Sequence, residues 1–149
     1  MSPLLSKLNK SPKICNQVIL VDNSNEIKPG LLTDQELAYF LQRRESKKDL
    51  IAFNRYNHWL FIQFITPLAE DKSESVHLEK CRKAGDSLLS LLHEHEISEI
   101  TLTVPKRLAA EVLAYSEGLL LGSYQFLKYL TDASEKSFKL QHIRRSKFY

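Results

Sequence analysis

The chain has 149 residues, of which 43% are hydrophobic and 26% are charged, and its formal net charge is +3 at pH 7. This length suits one domain with its own core, and the composition excludes an intrinsically disordered chain. With only 4 glycines, no Gly-rich phosphate loop is present, and no apolar run is long enough for a signal peptide or a membrane span. We therefore expect a single cytoplasmic domain with no membrane partner.

The two cysteines, Cys15 and Cys81, form no C-x-x-C pair and fall in different predicted elements. In a chain without a secretory leader, thiols usually stay reduced. Both cysteines are therefore expected to be free.

The first half of the chain predicts a strand followed by a helix. The apolar run within residues 14–22 is typical of a strand that is buried on both faces. Thr33 and Glu36 have the spacing of a capping box, in which each side chain binds the other residue's backbone amide. The helix that begins there is expected to end near Ser46.

Two further strands, at residues 50–53 and 58–65, are predicted to form a hairpin with a polar tip at residues 54–57. Apolar residues occupy both faces of the second strand. This strand is therefore expected in the interior of the sheet.

The clearest helix is predicted over residues 76–95, because small and apolar residues recur at spacings of three and four. This stripe consists of Leu78, Cys81, Gly85, Leu88 and Leu92. A glycine inside a helix costs about 1 kcal/mol relative to alanine. Gly85 therefore indicates a place where a neighbouring backbone comes close.

A short strand at residues 99–104 leads into a long helix at 107–130, and a last strand is predicted at 138–143. In the long helix, Ala114, Gly118 and Gly122 stand four residues apart and form a narrow face. In a helix with charged flanks this spacing favours tight packing on a sheet.

Alternating strands and helices, with one antiparallel hairpin, predict an α/β fold with a mixed sheet and helices on both faces. We divide the chain into a polar N-terminal segment (1–13), one α/β domain (14–143) and the start of a linker (144–149).

The residues that could carry chemistry are poorly placed for it. His93 and His95 are two residues apart on a helix, so that their side chains point about 200° away from each other. These histidines indicate a polar, partly frayed helix end. His77 and Cys81 are one turn apart, but two ligands do not make a metal site. Neither cysteine lies at a strand-to-helix elbow, and G-x-S-x-G is missing. We predict no catalytic, cofactor or metal site in this chain.

Two stretches resemble a known family. Residues 115–129 read Tyr-Ser-Glu-Gly-Leu-Leu-Leu-Gly-Ser-Tyr-Gln-Phe-Leu-Lys-Tyr. This stretch resembles the last helix of the amino-terminal domain in the leucyl (cytosol) aminopeptidases. Residues 81–85, Cys-Arg-Lys-Ala-Gly, are similar to an earlier helix of that domain. The order of elements also matches, although the amino-terminal half resembles the family only in layout.

The resemblance implies a macro-domain-like, three-layer fold without catalytic residues. In the family, a separate carboxy-terminal domain holds two divalent metals, Zn or Mn, and hydrolyses peptides, and the whole protein assembles as a hexamer. This chain alone is therefore expected not to be an enzyme. Its expected partners are a peptidase domain of the same polypeptide and further copies. The candidate interface residues are Tyr124, Lys128, Tyr129, Arg144 and Arg145.

Two other functions are open. A macro-like domain could bind ADP-ribose or another nucleotide at the carboxyl ends of its strands, where Asp22-Asn23-Ser24-Asn25 lies. The basic end of the chain, from Arg144, hints at nucleic acid, but the modest net charge does not favour that partner.

Overall fold

The computed structural model describes residues 4–8, 15–22, 27, 30–66, 68, 70–103, 108–130 and 142–146, with side chains between 15 and 123. The elements in chain order are β1 (Leu4–Leu8), β2 (Gln17–Val21), α1 (Asp34–Glu45), β3 (Leu50–Asn54), β4 (Trp59–Phe64), α2 (Glu74–Glu94), β5 (Glu99–Thr103), α3 (Ala109–Leu130) and β6 (His142–Ser146). None of these helices is long and apolar enough to cross a membrane.

The strands form one mixed sheet in the order β1-β6-β5-β2-β4-β3. Every neighbouring pair is parallel except β3 and β4, which form the antiparallel hairpin. The predicted hairpin is confirmed, and so is the interior position of β4, which lies between β2 and β3. Its two apolar faces are needed because helices cover the sheet on both sides.

The core is divided by the sheet into two clusters. One contains Phe40 of α1 with residues of β2, β3 and β4. The other contains residues of α2 and α3 with the opposite side chains of β2, β4 and β5. Alternate residues of β4 enter different clusters, as Phe61 and Ile62 illustrate, because successive side chains of a strand point to opposite faces. The predicted three-layer α/β fold is thus confirmed.

The capping box at the start of α1 is also confirmed. The Thr33 hydroxyl oxygen accepts from the Glu36 amide at 3.2 Å, and the Thr33 amide donates to the Glu36 carboxylate at 3.0 Å. These bonds satisfy amides that would otherwise have no partner in the first turn.

The glycines of α2 and α3 mark the contact between these two helices. A Cβ atom on Gly85 would overlap the carbonyl oxygen of Tyr115, and one on Gly118 would overlap the carbonyl oxygen of Arg82. The predicted close approach at Gly85 is confirmed. The small-residue face of α3 meets helix α2 rather than the sheet, because only glycine allows two helix backbones to come this close.

The strands nearest the two ends of the chain differ from the expected layout. A strand, β1, lies within the segment assigned as polar, and it pairs with β6 at the sheet edge. Strand β6 was predicted at 138–143, but it reaches Ser146, so that Arg144 and Arg145 belong to the sheet and not to a linker. The position of each of these strands depends on pairing with strands that are distant in the sequence. Short-range sequence patterns do not reveal such pairing.

The end of α2 is capped, not frayed. Glu96 has a φ of 54°, and the Ile97 amide donates to the Leu92 carbonyl at 2.8 Å. A left-handed residue after the helix, with such a reverse bond, satisfies the last carbonyls. The apolar Ile97 is buried there, which holds the helix end in place.

Candidate functional site

A cleft at the carboxyl end of β4 is lined by several polar side chains. The cleft has a volume of about 230 Å³ and lies between the end of β4, the start of β3 and the first turns of α2. Its lining residues are Asp49, Gln63, Phe64, Ile65, Thr66, His77, Lys80, Cys81 and Ala84. The carboxyl ends of strands are where α/β sheets usually bind ligands, so the polar side chains of this cleft are the candidates for a chemical role.

His77 is held by an acidic residue of the neighbouring helix. It lies in the first turn of α2, is only 8% exposed, and its Nε2 atom is 3.2 Å from Oε1 of Glu111 on α3. The close contact of α2 with α3 brings these two side chains together, although they are 34 residues apart in the sequence. A buried imidazole that already has a carboxylate partner links the two helices.

Cys81 lies one turn after His77 and is buried. Burial, together with a smaller effect of the nearby Glu111 carboxylate, raises the pKa of its thiol to about 11, while Arg82 acts in the opposite direction. Because the thiolate is the nucleophile and the metal ligand, a thiol that stays protonated at neutral pH is poorly suited to either role.

Gln63 and Tyr115 form a polar contact beneath the cleft. The Tyr115 hydroxyl donates to Oε1 of Gln63 at 3.4 Å, and Nε2 of Gln63 donates to the Phe64 carbonyl at 3.0 Å and to the Asp49 carbonyl at 3.3 Å. Complete burial raises the pKa of Tyr115, which keeps its phenol neutral. The buried polar atoms thus satisfy one another, as the cost of burying an unpaired polar group requires.

His93 and His95 lie at the end of α2 in different surroundings. Burial lowers the pKa of His93. His95 caps α2 and stacks on Trp59, with ring centroids 4.1 Å apart. Across the described ranges, no group of three or more His, Cys, Asp or Glu side chains could hold a metal ion.

The predicted interface residues fall in two separate elements. Tyr124, Lys128 and Tyr129 belong to α3, whereas Arg144 and Arg145 belong to β6. Their side chains lie outside the described residues, so that the contact surface stays a prediction. Of the residues 22–25 that were predicted to bind a nucleotide, Asp22 directly follows β2, and Asn23, Ser24 and Asn25 lie outside the described residues.

Sequence reasoning missed an apolar surface on α3. Leu113 is 54% exposed and Leu121 is 58% exposed. They stand two turns apart with Glu117 between them, and Glu117 pairs with Arg82 of α2 at 2.9 Å. We call Leu113, Glu117 and Leu121 the outer stripe of α3. The eight-residue spacing of the two leucines indicates that they share one side of the helix. The sequence does not indicate that this side is exposed, because that depends on how α3 packs against α2.

Comparison with solved structures finds this fold in a peptidase. The chain is similar to a mutant of tomato leucine aminopeptidase, with a TM-score of 0.61 and 13% sequence identity. The match covers 98% of this chain but 33% of the tomato enzyme, so that this chain spans about a third of that enzyme's length. At this identity the similarity establishes the fold alone.

Comparisons at the level of sequence add nothing to this result. No protein-family model matches the chain, and no curated protein matches it.

Proposed function

We propose that this chain is a non-catalytic domain that positions or assembles a di-metal peptidase domain of the leucyl-aminopeptidase type. The observation that carries the proposal is that nearly the whole chain, 98% of it, adopts the fold of a third of tomato leucine aminopeptidase. In this proposal the remainder of that enzyme corresponds to the peptidase domain, and the divalent metals, Zn or Mn, belong to that domain.

The internal polar contacts support a structural role. His77 binds Glu111, Gln63 binds Tyr115, and burial keeps the thiol of Cys81 protonated. The first contact joins α2 to α3, the second joins β4 to α3, and Cys81 is buried in the core beside them. Catalytic groups, in contrast, need a free face toward a substrate and a pKa matched to the working pH.

The outer stripe of α3 is the surface that we assign to the peptidase domain. Leu113 and Leu121 expose apolar side chains on α3, on either side of Glu117, which pairs with Arg82 at the border with α2. Tyr124, Lys128 and Tyr129 follow on the same helix and would extend the contact. Aromatic residues in the middle of an interface commonly carry much of its binding energy.

The non-catalytic part of the proposal is tested with the pure chain. Leucyl-peptide hydrolysis is measured with added Mn²⁺ or Zn²⁺, and no turnover above that of a heat-denatured sample is expected. His77→Gln is measured in parallel. Turnover that is lost in this variant would place an active site in the cleft and overturn the proposal.

The assembly part needs a binding measurement. The chain is mixed with a tomato leucine aminopeptidase fragment that lacks the matching third, and association is measured by calorimetry. The double variant Leu113→Lys with Leu121→Lys should weaken binding by about tenfold or more, because charges would be buried without partners. The matched control is Leu37→Lys with Leu41→Lys on α1, whose leucines are 43% and 50% exposed. No binding by the unmodified chain, or equal loss in both variants, would count against the proposal.

The cleft favours a second candidate function, a stand-alone module that binds ADP-ribose or another nucleotide. It lies at the carboxyl end of β4, as expected for such a ligand, and it exposes Lys80, which could bind a phosphate. Calorimetry with ADP-ribose is the test. Saturable binding that is weakened by Lys80→Ala would support this function, and the absence of heat would exclude it.

A further inference from the structure

Strand β3 leaves one edge of the sheet open. It is the last strand in the order of the sheet, and no described strand lies beyond it. An open edge exposes backbone donors and acceptors that can pair with another strand.

The hairpin register shows which residues of β3 face this edge. The Phe64 amide donates to the Asp49 carbonyl at 2.7 Å, and the Arg55 amide donates to the His58 carbonyl at 2.9 Å. Since bonded and non-bonded pairs alternate in an antiparallel ladder, Ile51 and Phe53 also bind β4. Leu50, Ala52 and Asn54 must therefore point their backbone groups away from β4. The bond of the Trp59 amide is consistent with this alternation: Trp59 lies opposite Asn54, and its amide donates to the Asn16 side chain on the other side of β4.

We propose that two copies of this chain associate through β3, antiparallel, across a twofold axis at Ala52. In this register Ala52 faces Ala52 of the second copy, and Leu50 faces Asn54. All three outward residues then pair through their backbone groups. If one strand shifted by one residue, residues whose backbone groups face the second copy would lie opposite residues whose backbone groups face β4. A shift by two residues would leave one of Leu50, Ala52 and Asn54 without a partner in the other strand.

The charges that flank β3 match this register. Asp49 precedes the strand and Arg55 follows it, and the twofold axis sets each of them opposite the other in the second copy. The paired strand ends there, because Tyr56 has a φ of 66° and turns the chain at the hairpin tip. Opposite charges across a strand pair are favourable. Charged residues usually protect an edge from pairing, but here their order makes the strand complementary to itself.

Helix α1 is placed so that it joins the same contact. Arg55 binds Glu36 near the start of α1, and Asp49 binds Arg44 near its end, so that α1 runs antiparallel to β3. Tyr39 packs on Phe53 with ring centroids 5.8 Å apart, and it stays 41% exposed. Arg43 lies one turn further along α1, toward Asp49. The twofold axis would therefore bring Tyr39 toward Arg43 of the second copy.

Sedimentation velocity over a concentration series tests the proposal with the full chain. The unmodified chain should shift from monomer to dimer as the concentration rises. Ala52→Pro removes one outward N–H without touching the bonds to β4, and it should raise the dissociation constant by roughly tenfold or more. Ala52→Val is the matched control, because it keeps the N–H and should stay dimeric.

A crosslinking experiment tests the register without depending on the proline variant. Ala52→Cys, in a Cys15→Ser background, should crosslink to itself with a short bismaleimide, since the axis brings this residue next to its copy. Ser90→Cys, exposed on α2, should not. A chain that stays monomeric at every concentration, or equal crosslinking at both positions, would overturn the proposal. Neither readout uses peptide hydrolysis, so that the result is independent of the proposed function.

Discussion

The two faces of the sheet are covered by helices that are held in different ways. Helices α2 and α3 meet at Gly85 and Gly118, where backbone lies against backbone. Helix α1 instead rests on one buried side chain, Phe40, and on polar bonds at both its ends. The contact between α2 and α3 has no room for an added Cβ atom. Helix α1, in contrast, can lose one hydrogen bond and still cover its face of the sheet.

This difference separates rigid from adjustable parts of the molecule. The α2–α3 contact fixes His77 against Glu111 and buries Cys81, so that the cleft depends on it. Helix α1 leaves Leu37, Tyr39 and Leu41 exposed. Helix α1 is therefore the more adjustable of the two helix layers, and the following substitutions test this contrast.

The largest effect is expected from Gly118→Val. Its side chain would overlap the carbonyl of Arg82, and backbone cannot move aside as a flexible side chain can. We expect a loss of about 4 kcal/mol or more in the free energy of unfolding, measured by urea denaturation. Ala110→Val, exposed on the same helix, is the control and should cost about 0.5 kcal/mol. Similar losses in both variants would show that the helices are not in close contact.

Phe40→Ala should have the next largest effect. Phe40 is 1% exposed and stacks on Phe64, with ring centroids 5.7 Å apart. Its loss should cost about 3 kcal/mol. In hydrogen exchange, the amides of α1 should lose protection more than those of α2. Uniform loss would mean that α1 is not a separately adjustable layer.

Glu36→Gln tests the polar attachment of α1. The hydrogen bonds from Arg55 are the main cause that lowers the pKa of Glu36, against a smaller effect of burial. A lowered pKa adds stability above the ordinary value of 4.5, and this contribution is lost as the pH falls through the folded-state pKa. We expect the variant to be less stable by about 1 kcal/mol at pH 7 and equal to the unmodified chain in strong acid. Glu45→Gln, exposed on the same helix, should show no such convergence.

His95→Ala probes the cap of α2, where the imidazole stacks on Trp59. The loss of this contact should cost about 0.5 kcal/mol. Because Trp59 is the only tryptophan, its fluorescence reports the site directly. An unchanged emission spectrum would show that the two rings do not stack.

Glu111→Gln should have the smallest effect on stability and a distinct effect on Cys81. Removal of the carboxylate takes away the second cause that raises the thiol pKa, while burial continues to raise it. The pKa, followed by alkylation rate against pH in a Cys15→Ser background, should therefore fall but stay above the ordinary value of 9.0. An unchanged dependence of the alkylation rate on pH would show that the Glu111 carboxylate does not act on the Cys81 thiol.

Several features of this fold could be predicted from local sequence. Thr33 and Glu36 indicated the first helix, the periodic residues from Leu78 to Leu92 indicated the second, and Gly85 indicated a close backbone. These signals depend on neighbours within a few residues, and helix caps and periodic stripes are short-range properties.

Other features were decided only by the tertiary structure. Strand β1 exists because β6 pairs with it, and the partner of Gly118 is α2 because the crossovers set both helices on the same sheet face. The pairing of His77 with Glu111 and the open edge of β3 depend on contacts between distant parts of the chain. Such contacts form when the layers come together, so that the sequence supplied the residues and the fold chose their partners.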